Sequence, residues 1–436
     1  MCRYQLKYIL FLLFIVSTPK VFAQTSTISN PLSGRVNLPY SRFGIGEEWN
    51  SNNTLLKGMG SITSAFQDPY AINTDNPASF SFLKATTYEG GGGSETHTLT
   101  TSNATYNTGT ATISYMNIAF PTNNHHFGFC LGLRPFTHEY YNMADTVHSG
   151  SDTLIGNQII HSYTGSGSVN YLFIGAAGRY KGFSAGVTVG YLFGSITNVS
   201  RLINNDTTYA YNSTFEQIRK IGGIYWKGGL LYETPLNKKY TLRVGGTVTL
   251  QQSLNVWQNE YWIASYSLPD TFIADTTYRA QQAKGTITMP MSYSFGIQLA
   301  KNDQWLLGID YSATQWGQFR SFGLPDSLAS STSKFSIGGQ YTPNASALRN
   351  YWSRVTYRMG LYYGTNNVYL QNTTLNTYGV TVGASFPFRR TSDRIHLAMD
   401  YGKIGTTSNG LIQDNYFKFS LGVSFNDKWF VKTRYE

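Results

Sequence analysis

The sequence predicts an all-β fold: a transmembrane antiparallel β-barrel of about fourteen strands, its lumen holding an N-terminal hatch or plug. Three observations predict it. The chain opens with an export signal. A region running from residue 84 to residue 426 alternates apolar and polar residues with a period of two. No stretch after the signal is apolar for long enough to form a spanning helix. An exported chain of this kind is either a soluble sandwich or a barrel, since both alternate; the asymmetry of its connections selects the barrel, placed in the outer membrane of a Gram-negative bacterium.

Composition suits a wall with one face in lipid and the other in water. Of 436 residues, 13% are charged and 15% aromatic, with 33 Tyr and 43 Gly; soluble domains average roughly 25% charged. The signal occupies residues 1–23. Arg3 and Lys7 make its basic start, Ile9 to Val16 its apolar run, and Val21-Phe22-Ala23 a small-residue cleavage site before Gln24. The apolar run falls far short of the ~20 residues a helical span requires. Cys2 leaves with the signal, so Cys130 stands alone and no internal disulfide forms. The formal charge of +10 falls to 10 − 3 = +7 when Arg3, Lys7 and Lys20 are removed. The basic residues are scattered singly, which argues against nucleic acid as a partner and for contact with membrane lipid and anionic outer-leaflet glycolipid.

Residues 24–83 form the hatch region. Residues 24–57 are polar and irregular and include Ser41-Arg42-Phe43-Gly44-Ile45-Gly46. Gly58 to Leu83 is neither strand nor regular helix. Asp68-Pro69 and Asn76-Pro77 bias the residue before each proline away from helical geometry, and no period of two survives. Yet the stretch carries Met59, Ile62, Phe66, Tyr70, Ile72, Phe80, Phe82 and Leu83. A segment so apolar and so irregular needs a container.

The container begins at residue 84. Phe183, Ala185, Val187, Val189, Tyr191 and Phe193 alternate with small or polar residues. So do Tyr240 to Leu250, Tyr378 to Phe388 and Phe417 to Phe425. Strands are expected near 85–100, 109–121, 126–141, 159–180, 183–199, 208–234, 239–262, 277–300, 304–320, 332–342, 354–370, 375–389, 394–405 and 414–426. Short joins (Thr122 to His125, Lys181-Gly182, Leu236 to Lys238, Lys301 to Asp303, Arg390 to Asp393) fall on one side. Longer polar loops, near 142–158, 263–276 and 321–331, fall on the other, which is the asymmetry of outer-membrane barrels. The 343–353 join is long on the short side. Aromatic residues at strand ends (Phe136, Tyr140, Tyr141; Trp257, Tyr261, Trp262; Trp305; Trp429, Phe430) are expected to form interfacial girdles. Residues 427–436 are a tail or a last strand.

Gly58-Met59-Gly60, Asp68-Pro69-Tyr70-Ala71-Ile72 and Asn76-Pro77-Ala78 together resemble the N-terminal hatch signature of FadL-type outer-membrane transporters, most closely the branch found in Bacteroidota. The resemblance is sharp over about residues 42–90 and one of pattern over the barrel. Two features depart from it: the chain does not end on an aromatic residue, and Ser79-Phe80 follow Asn-Pro-Ala. The resemblance implies a hatch-plugged channel for passive uptake of hydrophobic small molecules such as fatty acids or aromatic hydrocarbons, with release sideways through the wall. The hatch motif is then Gly58, Gly60, Asp68, Pro69, Asn76, Pro77 and Ala78. By position, Phe66, Tyr70 and Ile72 are expected to line a ligand pocket. A second reading is a non-transporting barrel serving as structural or assembly partner in a protein secretion complex, with other outer-membrane or periplasmic proteins docking on the loops near 142–158 and 201–213 and on the tail.

No catalytic constellation, metal set or cofactor motif stands out, and the chain reads as a non-enzyme. His125-His126 lies at a turn, where adjacent side chains diverge. His396 and Asp400 share a polar face but stand roughly 13 Å apart along a strand, with no nucleophile beside them. Gly90 to Gly93 is a thin or bent wall position rather than a phosphate loop, since no helix follows it. Arg134, Arg243, His396, Asp400 and Lys418 take the polar, lumenal face by alternation; either they are solvated or some of them hold a carboxylate headgroup. Cys130 faces the lumen.

Overall fold

Fourteen strands close into a ring. The computed structural model describes residues 37–429, apart from 123, 125, 149–157, 205–209, 269–270, 302–303 and 348. The expected signal, most of the C-terminal tail and the middle of the 142–158 loop lie outside the described residues. In chain order the wall strands are β1 (Thr86–Thr100), β2 (Thr105–Pro121), β3 (Phe127–His148), β4 (Gln158–Tyr180), β5 (Phe183–Asn204) and β6 (Ala210–Pro235). Next come β7 (Tyr240–Thr249 and Gln252–Leu268), β8 (Thr271–Met289 and Ser292–Lys301) and β9 (Trp305–Thr314). The last are β10 (Thr332–Tyr341), β11 (Thr356–Leu370), β12 (Thr373–Pro387), β13 (Arg394–Ile404) and β14 (Gln413–Asp427). All neighbours are antiparallel, and β14 pairs with β1 from Gln413–Thr100 to Asp427–Thr86. That last ladder removes the open edge, as hydrocarbon requires.

The alternation has the expected sense. Val187, Val189, Tyr191, Val380, Val382, Phe417 and Leu421 point outward, while Ser184, Thr188, Thr381 and Ser420 are buried inside. No helix among the described residues is long and apolar enough to cross a membrane. The described residues before β1, 37–85, lie within the ring. Its one-turn helix α1 (Thr54–Lys57) packs on β12, β13 and β14, and its 3-10 turn Pro77–Phe82 packs on β2 to β6.

The structure corrects several sequence boundaries. The expected long loop at 263–276 is strand: β7 runs to Leu268 and β8 starts at Thr271, with pairing from Leu268–Thr271 downward. Likewise β3 reaches His148, and the expected 201–213 loop is strand at both ends, with β5 running to Asn204 and β6 starting at Ala210. These Thr-, Ser- and Asn-rich stretches read as loop because alternation fades beyond the bilayer, where neither face has to be apolar. The expected 304–320 strand stops at Thr314 and is followed by a 3-10 turn, Trp316–Gln318. Two strands are broken in mid-wall. β8 breaks at Pro290, which has no N–H to give a ladder. β7 breaks at Leu250-Gln251, and the Gln252 amide replaces a rung by accepting from the Trp226 N–H (2.8 Å) and donating to the Trp226 carbonyl (2.9 Å).

One bulge re-aims half of β3. Its register with β4 shifts between Pro135 and Thr137, so one extra residue reverses the facing of everything after it. Leu131 and Leu133 face lipid, but Thr137, Glu139 and Tyr141 face inward. Tyr141, expected in an aromatic girdle, therefore belongs to the lumen, and so does Phe136, which shares the parity of Cys130 and Arg134. Trp262 and Trp429 do face outward, and Trp429 meets Tyr88 edge-on at 6.0 Å; Phe430 lies outside the described residues.

The same place splits the wall. The β2–β3 ladder covers only Met116–Leu133 to Pro121–Gly128. Above it, β3 takes a new partner from the N-terminal segment: Glu47 pairs with His138 and Glu48 with Thr137. Leu38 N–H donates to the Tyr140 carbonyl at 2.7 Å.

Candidate functional site: the plugged lumen

The motif residues are the points where the plug touches the wall. Gly60 has φ +71°, and a Cβ there would sit 3.2 Å from the carbonyl oxygens of Ile337 and Leu361. Its N–H donates to Thr381 Oγ1 at 2.8 Å. Left-handed backbone and close approach together demand glycine. Gly58 meets another glycine, since a Cβ on it would lie 2.9 Å from Gly383 Cα. Asn76 caps the 3-10 turn by accepting from the Ala78 N–H (3.0 Å), and its amide donates to the carbonyls of Ser64 (2.5 Å) and Leu230 (3.1 Å). Pro77 supplies the first position of that turn, where no N–H is needed, and lies against Gly186 and Gly229. The Ala78 carbonyl accepts from Ser184 Oγ at 2.8 Å. Pro69 follows Asp68, whose carboxylate accepts from the Tyr70 N–H at 2.8 Å.

Charge pairs tie the plug to the ring. Arg394 reaches Asp68 at 3.0 Å; Arg134 and Lys227 reach Asp75 at 3.3 and 3.5 Å. Burial works against both carboxylates, but at Asp68 the Arg394 guanidinium and the Tyr70 N–H together outweigh it, and at Asp75 Lys227 and Arg134 do; each stays below the usual carboxylate range. Asp310 of β9 accepts the N–H groups of Thr63 (2.5 Å) and Ser64 (2.7 Å). Glu89 of β1 accepts from the Ile72 N–H (3.0 Å) and the Asn53 amide (2.7 Å). Asp310 and Glu89 escaped the sequence reading. An acid on the lumenal parity of a strand was the available signal, but nothing in the sequence says that the plug comes within reach of it.

The three pocket candidates do not converge. Phe66 is buried with Leu55, Leu56, Met59, Ile62 and Leu306, on the β8–β9 side. Ile72 belongs to a larger apolar cluster with Phe80, Tyr171 and Tyr225. Tyr70 is half-buried, its ring 6.0 Å from the Arg394 guanidinium. The larger cluster was not foreseen. It runs from Ile72 and Phe80 across the inner faces of β4 to β8 to Trp316 and Phe319, with Phe136, Phe322 and Leu328 half-buried against it. Cys130 is in it. The mid-wall breaks reverse parity in β7 and β8 and turn Leu254, Val256, Ile287 and Met289 inward, while β4 and β5 carry apolar residues such as Tyr171, Phe173 and Leu192 on their inner face as well as their outer one.

The lumenal charges fall into separate sets. Arg243 pairs with Glu233 at 2.7 Å, and Gln67 of the plug bonds the same carboxylate at 2.7 Å. His396 lies between Ser385 (2.5 Å) and Ser424 (2.9 Å), and Ser424 donates to Glu89. Asp400 accepts from Tyr362 at 2.8 Å, and Lys418 pairs with Glu95 at 3.1 Å. The described residues hold no group of three His, Cys, Asp or Glu able to share a metal ion; His125 is outside them. Gly90 to Gly93 forms a bulge, with a register shift at Gly91/Gly92 and the Tyr115 ring over Gly91.

A cavity sits behind the β2–β3 split, where the charged groups of Glu48, Lys57, Glu95, Asp400 and Lys418 stand among apolar Trp49, Met399 and Phe419. Lys57 of α1 reaches Ser114 Oγ at 3.2 Å. Burial, then the nearby Lys418, pushes its ammonium down to about 8 against the pull of Glu95 and Asp400.

Comparison with known proteins follows from this geometry. The family model BamG matches residues 5–436. No curated protein sequence matches the chain. Among solved structures, the Pseudomonas putida toluene transporter TodX superposes with TM-score 0.56 at 17% identity, covering 87% of this chain and 99% of that one. The Ralstonia pickettii toluene transporter TbuX gives 0.54 at 16%, covering 86% and 98%. A Pseudomonas aeruginosa FadL homologue gives 0.55 at 14%, covering 86% and 98%. At such identities the likeness carries the fold, a closed outer-membrane barrel of this type.

Proposed function

The chain belongs to the BamG family, and from that premise we propose that it is an outer-membrane channel for passive uptake of hydrophobic small molecules, such as fatty acids or aromatic hydrocarbons. The observation that carries this reading is the lumenal apolar cluster. A lumen needed only for closure could be polar throughout, yet apolar side chains run from the plug at Ile72 and Phe80 to half-buried Phe136, Phe322 and Leu328. Apolar surface inside a polar-lined barrel is where a hydrophobic ligand gains most by leaving water. On this reading residues 1–23 are the signal, 24–83 the hatch, 84–426 the wall and 427–436 the tail, and the chain carries no catalysis. We also assign the hatch motif to the Bacteroidota-like form of its class.

A second reading, a non-transporting barrel that acts as assembly partner in a secretion complex, is favoured by two other features. The hatch is held to the wall by Asp68–Arg394, Asp75–Arg134 and Asp310, and the cavity at the lateral split places Glu48, Lys57, Glu95, Asp400 and Lys418 in the path of an apolar ligand leaving sideways. One experiment separates the two. Protein purified in mild detergent is extracted with organic solvent and the extract read by mass spectrometry, beside a Phe136→Ala, Phe322→Ala variant. A bound lipid or hydrocarbon that the variant loses supports uptake and names the ligand class. An empty barrel carrying a stoichiometric protein partner moves the function to assembly.

A further inference from the structure

The surplus of positive charge is concentrated at one end of the barrel. The turn end carries six exposed cations in four places: Lys181 in the β4–β5 turn, Lys238 and Lys239 in the β6–β7 turn, Arg389 and Arg390 in the β12–β13 turn, and Lys428 after β14. Among the described residues, none of these cations lies in a salt bridge. The described acids at that end are engaged: Asp393 and Asp427 accept backbone N–H groups at 2.7 Å, and Glu233 is held by Arg243. At the opposite end the signs are mixed, with Asp145, Glu260 and Asp275 among Arg201, Arg279 and Lys284. Basic residues that looked scattered in the sequence, and were expected to meet outer-leaflet glycolipid, thus gather at the short-turn end, which in such barrels faces the periplasm.

Aromatic rings accompany the cations. Tyr180 is 74% exposed beside Lys181, whose ammonium lies 5.4 Å from its ring. Phe388 precedes Arg389-Arg390, and Trp429 follows Lys428, both rings exposed. An outward ring marks the edge of the hydrocarbon, and the adjacent cation then lies in the layer of lipid phosphates. A protein partner would concentrate charge on one arc; here the cations occupy two separated arcs of the rim, β4 to β7 and β12 to β14.

We propose that this collar binds the headgroups of anionic phospholipids in the inner leaflet of the outer membrane. The inference rests on the barrel's outer-membrane location and is independent of the uptake reading. The test is reconstitution into nanodiscs holding phosphatidylglycerol and phosphatidylethanolamine in equal amounts, followed by native mass spectrometry of the lipids retained. Wild type should retain phosphatidylglycerol in excess, and the excess should shrink as salt is raised. The variant Lys181→Gln, Lys238→Gln, Lys239→Gln, Arg389→Gln, Arg390→Gln, Lys428→Gln should lower the ratio by about tenfold, each cation near an anionic surface supplying up to roughly fivefold. The control Arg201→Gln, Arg279→Gln, Lys284→Gln should leave it unchanged. Absence of enrichment in wild type, indifference to salt, or an equal loss in the control overturns the proposal. Capture of an acidic periplasmic protein without lipid enrichment overturns it too, and makes the collar a protein dock.

Discussion

Arg394 opens strand β13 and donates to Asp68 of the hatch at 3.0 Å, joining positions 326 residues apart in the chain. The pair lies where the plug descends past the turn end of the wall, and both partners are largely shielded from water. Breaking one side leaves a shielded charge alone, so the loss exceeds that of an exposed pair. Arg394→Gln is expected to destabilise the docked hatch by about 2 kcal/mol. Hydrogen exchange of the amides at residues 66–72 should quicken while those of β13 and β14 do not. The Arg394→Gln, Asp68→Asn double variant should cost little more than the worse single one, because the two changes remove one interaction.

Acid should release the hatch before it harms the wall. Asp68 and Asp75 are both held below the usual carboxylate range by their cationic partners. A depressed folded-state value means that the stabilisation is whole above the unfolded value, near 3.9, and is lost as pH falls through the folded ones. Hatch amides should therefore be as protected at pH 5 as at pH 7, and lose protection below about pH 4. Exchange that rises in step with a fall from pH 7 to pH 5 would remove these two groups as the cause.

Gly60 and Gly410 make a matched comparison. Both have positive φ, +71° and +70°, but a Cβ at Gly410 meets nothing within 4 Å while one at Gly60 meets two carbonyl oxygens at 3.2 Å. Gly410→Ala carries only the backbone penalty, about 1 kcal/mol. Gly60→Ala adds a steric one and should cost about 3 kcal/mol in hatch docking. Limited proteolysis within residues 50–80 should detect the second variant and not the first.

The wall was legible because lipid and water impose a period of two, and fourteen strands could be read from it. Its ends were not, since Thr276 or Ser213 outside the bilayer carries no such constraint. The bulge beside Pro135 also hid the inward facing of Tyr141, since one inserted residue reverses parity, whereas Phe136 shares the inward parity of Cys130 and Arg134. Motif positions such as Gly60 and Asn76 stood out because prolines and glycines mark unusual backbone. Their partners did not. Asp310 and Glu89 hold the hatch from strands that are remote in sequence, and Phe66, Tyr70 and Ile72, neighbours in sequence, diverge because the irregular chain turns between them.

Lys57 should be a net burden on the closed hatch. It ends helix α1, its ammonium reaches among the described residues only Ser114 Oγ by hydrogen bond, and it faces Lys418 across the cavity. Burial and that second ammonium push it down to about 8, against an unfolded value near 10.4. Between these values the unfolded state binds more protons, so hatch stability rises with pH across that window and is lowest at neutral pH. Lys57→Met keeps the length of the side chain and removes the charge. It should stabilise the docked hatch at pH 7 by about 2 kcal/mol after allowance for water in the cavity, and flatten the rise from pH 8 to pH 10. Denaturant titration of hatch exchange at both pH values measures it. A variant less stable than wild type at pH 7 would mean that Glu95 and Asp400 hold the lysine more strongly than burial opposes it.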